Sequence, residues 1–289
     1  MDQLERALID INTSDILTAL GWRNVPVLRR GVGLAVRPPA AAFARRMRSF
    51  DRDVEALGVR RAARTMLRSY VHRLYVNGAA RIPARGPVLL LSNHPGMTDT
   101  LALFSAIPRT DLRILAADRP FLHALPAMSR SLISVSDQKE KRMQAVRQAV
   151  THLRGGGALL TFPAGEIEPD PAVLPGAAQA LARWSPSTVL FLRFIPDCTV
   201  VPLVVSGVLS PRAQHHPLTL LRKKKRDREL LGAMLQMAVH TLIPSLWPVE
   251  VRVNVLEPFA GAEMAGGEAR ALLLLRERLE AFLGSRESA

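Results

Sequence analysis

His94 and Asp99 stand five positions apart in the run Ser92-Asn93-His94-Pro95-Gly96-Met97-Thr98-Asp99, directly after the apolar stretch Val88–Leu91. A strand that ends on a histidine delivers it to the C-terminal edge of a parallel sheet, where ligands of open α/β sheets are bound. Pro95 suits the first position of a helix, so His94 is predicted at a strand-to-helix corner. Asp99 then lies about one and a half turns on, close enough for its carboxylate to reach back to the imidazole. A carboxylate on one ring nitrogen fixes the tautomer and leaves the other nitrogen free to take a proton. The pair is therefore a candidate general base, although a histidine and an aspartate at this spacing can equally serve structure alone.

A second block, Thr161-Phe162-Pro163-Ala164-Gly165-Glu166, also follows an apolar stretch, Ala158–Phe162. Gly165 reads as a backbone requirement for a turn or a close approach. Glu166 has two readings: a cap on the following backbone, or an anionic contact for an amine-bearing ligand. The two blocks are expected to converge on one cleft. No Gly-x-Ser-x-Gly elbow is present, which disfavours a serine hydrolase. No cluster of His, Asp and Glu has metal-ligand spacing. The single cysteine, Cys198, rules out a disulfide framework within the chain and reads as a buried, inert thiol.

The elements around these blocks alternate. Strands are predicted at Arg113–Ala116, Leu132–Val135, Val200–Val205 and Val249–Leu256, in addition to the two already named. Helices are predicted at Met97–Ile107, 139–153, about 229–243 and about 267–283. Met143, Val146, Val150 and Leu153 share one side of the second of these, and Gly155-Gly156-Gly157 ends it. The alternation gives an α/β fold with a largely parallel central sheet flanked by helices. Before it, residues 1–40 lead to a turn at Pro38-Pro39, and 41–77 read as helix with Ala63, Met66, Leu67, Tyr70 and Leu74 on one face. The expected division is a basic helical segment over 1–77 and the α/β domain over 78–289.

Of 289 residues, 39 are Lys or Arg and 25 are Asp or Glu, a net charge of +14. Such a balance calls for an anionic partner. Between Ala40 and Arg85 eleven arginines face three acids, and the run Arg222-Lys223-Lys224-Lys225-Arg226-Asp227-Arg228 adds six bases and one acid. A basic amphipathic helix lies in a lipid interface or packs on a core with its arginines solvated; the pattern fits both. No helix-turn-helix or aromatic-interleaved motif accompanies the charge, so nucleic acid is not the expected partner. Acidic residues interrupt the first 20 positions, and no run of about 20 apolar residues occurs. Neither a signal peptide nor a membrane span is expected, and the protein is placed peripherally on the cytoplasmic face of a membrane.

The run from Asn93 to Asp99 resembles the His-four residues-Asp motif of the glycerolipid and lysophospholipid acyltransferase family. Thr161–Glu166 resembles that family's phenylalanine-proline-glutamate-glycine block. Leu115–Asp137, with Arg119-Pro120-Phe121 and Leu132–Val135, resembles the block between them, and Val201–Val204 the last one. The resemblance covers roughly residues 80 to 210. It implies transfer of a fatty acyl group from acyl-CoA or acyl-carrier protein to a hydroxyl of a lyso-lipid acceptor. His94 would be the base oriented by Asp99, with Asn93, Phe162, Pro163, Gly165 and Glu166 at the substrate. No cofactor or metal is implied beyond the acyl donor as co-substrate. Two arginines of the family pattern are replaced, by Ile167 and by Gln138 after Asp137. Arg119, Arg130, Lys139 or Lys141 are the cations available in their place. The other readings are a non-catalytic peripheral membrane protein that keeps the fold and, on charge alone, a nucleic-acid binder.

Overall fold

The computed structural model describes residues 3–20, 26–96, 98–136, 138–244, 246–261 and 267–287. Met97 and Asp137, which belong to the two blocks above, lie outside them. The helices are α1 (Gln3–Leu20), α2 (Pro26–Leu57), α3 (Val59–Leu67), α4 (Asp99–Ala106), α5 (Pro120–His123), α6 (Pro126–Ser129), α7 (Lys139–Arg154), α8 (Ala177–Ala180), α9 (Pro211–Gln214), α10 (Lys225–Leu242) and α11 (Glu268–Glu287). The strands are β1 (Arg73–Asn77), β2 (Val88–Ser92), β3 (Leu112–Ala117), β4 (Leu132–Val135), β5 (Ala158–Thr161), β6 (Thr199–Ser206), β7 (Glu250–Val255) and β8 (Phe259–Ala260).

These elements form two compact units that interleave in the sequence. One is helical and takes Met1–Arg73, Arg119–Ser129 and Leu209–Glu250; the other holds the sheet and takes Leu74–Asp118, Arg130–Val208 and Val251–Ala289. The helical unit's two later segments lie within the stretch 78–289.

The sheet runs β1-β7-β6-β2-β5-β3-β4, with β8 beside β6. β2 pairs in parallel with β5 and β6, and β3 in parallel with β4 and β5; β7 and β8 run antiparallel to β6. It is an α/β fold around a mostly parallel sheet. Every residue of β2 and β5 is buried, as continuous apolar strands covered on both faces require. Leu89, Leu91, Leu159, Val200 and Val204 share a core with Ala145, Ala149 and Leu153 of α7 and with Leu272, Leu275 and Leu279 of α11. Met143 stands outside this stripe with half its surface exposed, because the inward face of α7 is set by Ala145, Ala149 and Leu153 at four-residue spacing. Cys198 is buried in the same core, and burial pushes its thiol up to about 12.

The helical unit departs from the sequence reading in two ways. α2 runs through Pro38 and Pro39 without a turn. Each proline removes an N–H from the helix ladder, yet Ala40, Ala44, Met47, Phe50 and Val54 bury one continuous face after them, and that packing outweighs the local preference. The helix expected to reach residue 77 stops at Leu67, and Arg73–Asn77 is a strand. Met66, Leu67 and Tyr70 are each at most 9% exposed, with Arg46 over the Tyr70 ring, while Arg61, Arg64 and Arg68 face solvent. That face is core and not a surface offered to lipid. Among the described residues no helix is long and apolar enough to cross a membrane.

Candidate active site

Strand register brings the two blocks together. Leu91 of β2 pairs with Thr161 of β5, so Phe162 and His94 leave adjacent parallel strands at the same edge of the sheet. The rings of His94 and Phe162 stack at 4.1 Å with planes 18° apart. His94 Nδ1 lies 2.7 Å from Asp99 Oδ2. The same oxygen accepts the Gly96 N–H at 2.8 Å, and Asp99 Oδ1 accepts the Thr100 N–H and the Thr100 hydroxyl. Asp99 is wholly buried and opens α4, where a carboxylate faces unsatisfied N–H groups. The imidazole side chain is 26% exposed, and its Nε2 has no hydrogen-bond partner among the described residues. One ring nitrogen is thus held, one ring face is covered, and the other nitrogen is available.

The main chain of His94 is clasped by a residue that sequence reasoning passed over. Glu168 Oε2 accepts the His94 N–H at 2.9 Å, and the Glu168 N–H donates to the His94 carbonyl at 2.8 Å. Glu168 Oε1 accepts the indole N–H of Trp184 at 2.8 Å, and both side chains are buried. Glu166, the acid of the second block, stands two residues earlier. Both are acids within a few residues of one another, and no local spacing separates them. Trp184, which tells them apart, is 16 residues further on.

Electrostatics follow from this packing. Burial alone would lower the His94 pKa, but the Asp99 carboxylate, by charge and hydrogen bond, and the charge of Glu168 outweigh it and leave the pKa raised. Burial raises the Glu168 pKa against the opposing hydrogen bonds from Trp184 and the His94 N–H.

The other candidates divide. Asn93 is buried, and its amide both donates to the Val205 carbonyl at 2.9 Å and accepts the Val205 N–H at 2.7 Å. Its side chain extends the β2–β6 contact one step beyond the last backbone pair. Pro163 is buried and its carbonyl accepts the Ser185 N–H. Gly165 turns with φ +66° and is exposed. Glu166 approaches Arg183 at 3.4 Å, a half-exposed pair worth little to stability. The N–H groups of His94, Gly96 and Gly165 are all committed internally, so none of them is an oxyanion donor in this arrangement. Arg130 precedes β4, three places from β2, at the opposite end of the parallel strands from His94, and the structure does not bring it to the site. Arg119 is exposed and belongs to the helical unit, where it precedes α5. Among the described residues no group of three or more His, Cys, Asp or Glu side chains could hold a metal ion.

Gly96 is required twice. Its φ is +86°, and a Cβ there would stand 2.9 Å from Cδ1 of Ile167. The left-handed conformation costs an L-residue about 1–2 kcal/mol. Gly96→Ala is expected to lower the thermal midpoint by several degrees and to weaken the N–H contact that holds Asp99. Adding Ile167→Ala removes the contact but not the backbone strain, so the double variant should recover only a minor part of the loss in a thermal melt.

Residues 73–206 match the family model described as Acyltransferase. Among solved structures, the chain is similar to the crystal structure of the 1-acyl-sn-glycerophosphate (LPA) acyltransferase, PlsC, from Thermotoga maritima, at 15% identity, a TM-score of 0.48 and coverage of 96% of each chain. That likeness is too distant to speak to substrate. No curated protein matches the chain significantly. The matched segment, under half of the chain, carries both blocks that meet at His94.

Proposed function

We propose that the protein transfers a fatty acyl group from acyl-CoA or acyl-carrier protein to the hydroxyl of a lysophospholipid or related lyso-lipid, with His94 as general base and Asp99 as its orienting carboxylate. The observation that carries this reading is the dyad at 2.7 Å with Nε2 unengaged, stacked against Phe162 of the second block. The acceptor hydroxyl gives its proton to Nε2 as its oxygen attacks the thioester carbonyl. The tetrahedral oxyanion then collapses, the C–S bond breaks, and the imidazolium returns the proton to the departing thiolate. Asp99 stabilises the imidazolium during this passage. No acyl-enzyme forms, and no cofactor takes part. Where the family pattern has arginine this site has Ile167, half exposed and set against Gly96. An apolar side chain there supports an acceptor without a free phosphomonoester, since a guanidinium fork is what such a group calls for.

The test is transfer of radiolabelled acyl groups from acyl-CoA or acyl-carrier protein to a panel of lyso-lipids. Label in a diacyl product supports the reading, and its absence with every donor and acceptor refutes it. The pH profile adds a sign. The reactive form is neutral imidazole, so kcat/KM rises with pH as His94 loses its proton. Because Asp99 and Glu168 hold that proton, the midpoint should lie above the ordinary imidazole value. Glu168→Gln removes one of the charges that raise it and should move the midpoint to lower pH. The reading also places the protein at an anionic membrane surface, which its basic balance supports.

A further inference from the structure

The segment Pro217–Leu221, between α9 and α10, forms a single turn fixed from its inner side. Thr219 is buried, its hydroxyl donates to the His216 carbonyl at 2.7 Å, and His216 Nδ1 accepts the Leu218 N–H at 3.3 Å. The leucines around it are turned out: Leu218, Leu220 and Leu221 are 45%, 69% and 53% exposed. The basic run follows at once. Arg222 is paired with Asp227 at 2.9 Å and Lys225 approaches Glu229 at 3.9 Å, while Lys223 and Lys224 are exposed and have no ion pair among the described residues. Over residues 222–229 six bases face two acids. Leu230, four residues after Arg226 on the same side of α10, is also exposed.

We propose that this leucine turn and its lysine flank form a membrane-docking surface, with the leucines entering the acyl boundary of an anionic bilayer and Lys223, Lys224 and Lys225 reaching its headgroups. Three outward leucines on a turn that is braced from within would otherwise stay in water. Lysines beside them match a negative plane, and their methylene stems can lie along the apolar layer with the charge outside it. This replaces Met66, Leu67 and Tyr70 as the apolar contact, since those are core. The proposal rests on the lipid-acceptor reading only for its choice of a bilayer as partner.

Flotation of the full chain with phosphatidylcholine vesicles, with and without phosphatidylglycerol, tests it at ionic strengths of about 0.01 M and 1 M, where the Debye length is about 30 and 3 Å. The wild-type chain should bind the anionic vesicles at both and the neutral ones weakly. Lys223→Gln/Lys224→Gln/Lys225→Gln should lower low-salt affinity roughly 10²-fold, at the usual contribution of a basic residue near an anionic surface. Leu218→Ser/Leu220→Ser/Leu221→Ser should abolish the salt-resistant part. Leu242→Ser/Ile243→Ser, which removes equally exposed apolar residues about 25 Å away at the other end of α10, should bind like wild type. The proposal is overturned if the leucine variant keeps salt-resistant binding, if the control loses as much, or if the wild type ignores anionic vesicles. Acyl transfer with the acceptor dispersed in detergent separates the two readings. Transfer without vesicle binding removes the docking surface alone, and vesicle binding of the stated pattern without transfer removes the enzymatic reading alone.

Discussion

His94→Ala is expected to lower acyl transfer by at least roughly 10²-fold, the lower end of what a positioned base contributes, while the protein stays folded. The imidazole is partly exposed, and its one hydrogen bond is to Asp99, so truncation removes chemistry more than packing. Asp99→Asn should also be impaired, for a different reason. Its Oδ2 accepts from both His94 Nδ1 and the Gly96 N–H and its Oδ1 from Thr100, so an amide NH2 in either place meets a donor; on the Oδ2 side it also holds the ring in the wrong tautomer, and in both the charge that stabilises the imidazolium is lost. The check is kcat/KM for both variants beside a circular dichroism melt. A folded His94→Ala protein with full activity would remove His94 from the mechanism.

The second large effect is expected at Glu168. Glu168→Ala leaves the Trp184 indole N–H and the His94 N–H without partners in a buried place, and each unsatisfied donor costs about 1–3 kcal/mol. The variant should melt well below wild type, and transfer should fall because the His94 main chain is no longer clasped. Glu168→Gln keeps one acceptor and the volume, so it should recover part of the stability, while its pH midpoint moves down. A merely structural residue would restore stability and activity together without moving that midpoint. Thermal melts and pH profiles of the two variants distinguish these outcomes, and an unshifted Glu168→Gln profile would exclude an electrostatic role.

What could be read in advance followed physical reach. Strands β2 and β5 were legible almost to the residue, because buried parallel strands are short uninterrupted apolar runs bounded by turn residues. The meeting of His94 and Asp99 was legible because both partners lie within a few residues of one corner. Glu168 and the role of Asn93 were not, since each is defined by a partner far along the chain, Trp184 in one case and Val205 in the other. The end of the arginine-rich helix was misread for a related reason. Met66, Leu67 and Tyr70 show the same spacing whether they meet lipid or protein, and only the Arg46 guanidinium over Tyr70 and the burial of the face decide it. Pro38 and Pro39 were read by local rule, and the packing of five later residues overrides that rule.

The order of the strands has a consequence for how the chain is made. β1, at Arg73–Asn77, has β7 as its neighbour in the sheet, and β7 is at Glu250–Val255. During synthesis the first strand of the sheet must wait for about 170 residues to emerge before its partner exists. The helix α11, which covers Leu91 and Leu159 through Leu272, Leu275 and Leu279, comes later still. A nascent chain halted before residue 250 therefore carries an unpaired strand and a bare apolar sheet face, a species for chaperones to shield. A fragment cut to the family segment alone would inherit the same defect permanently, so soluble expression should require the chain through α11.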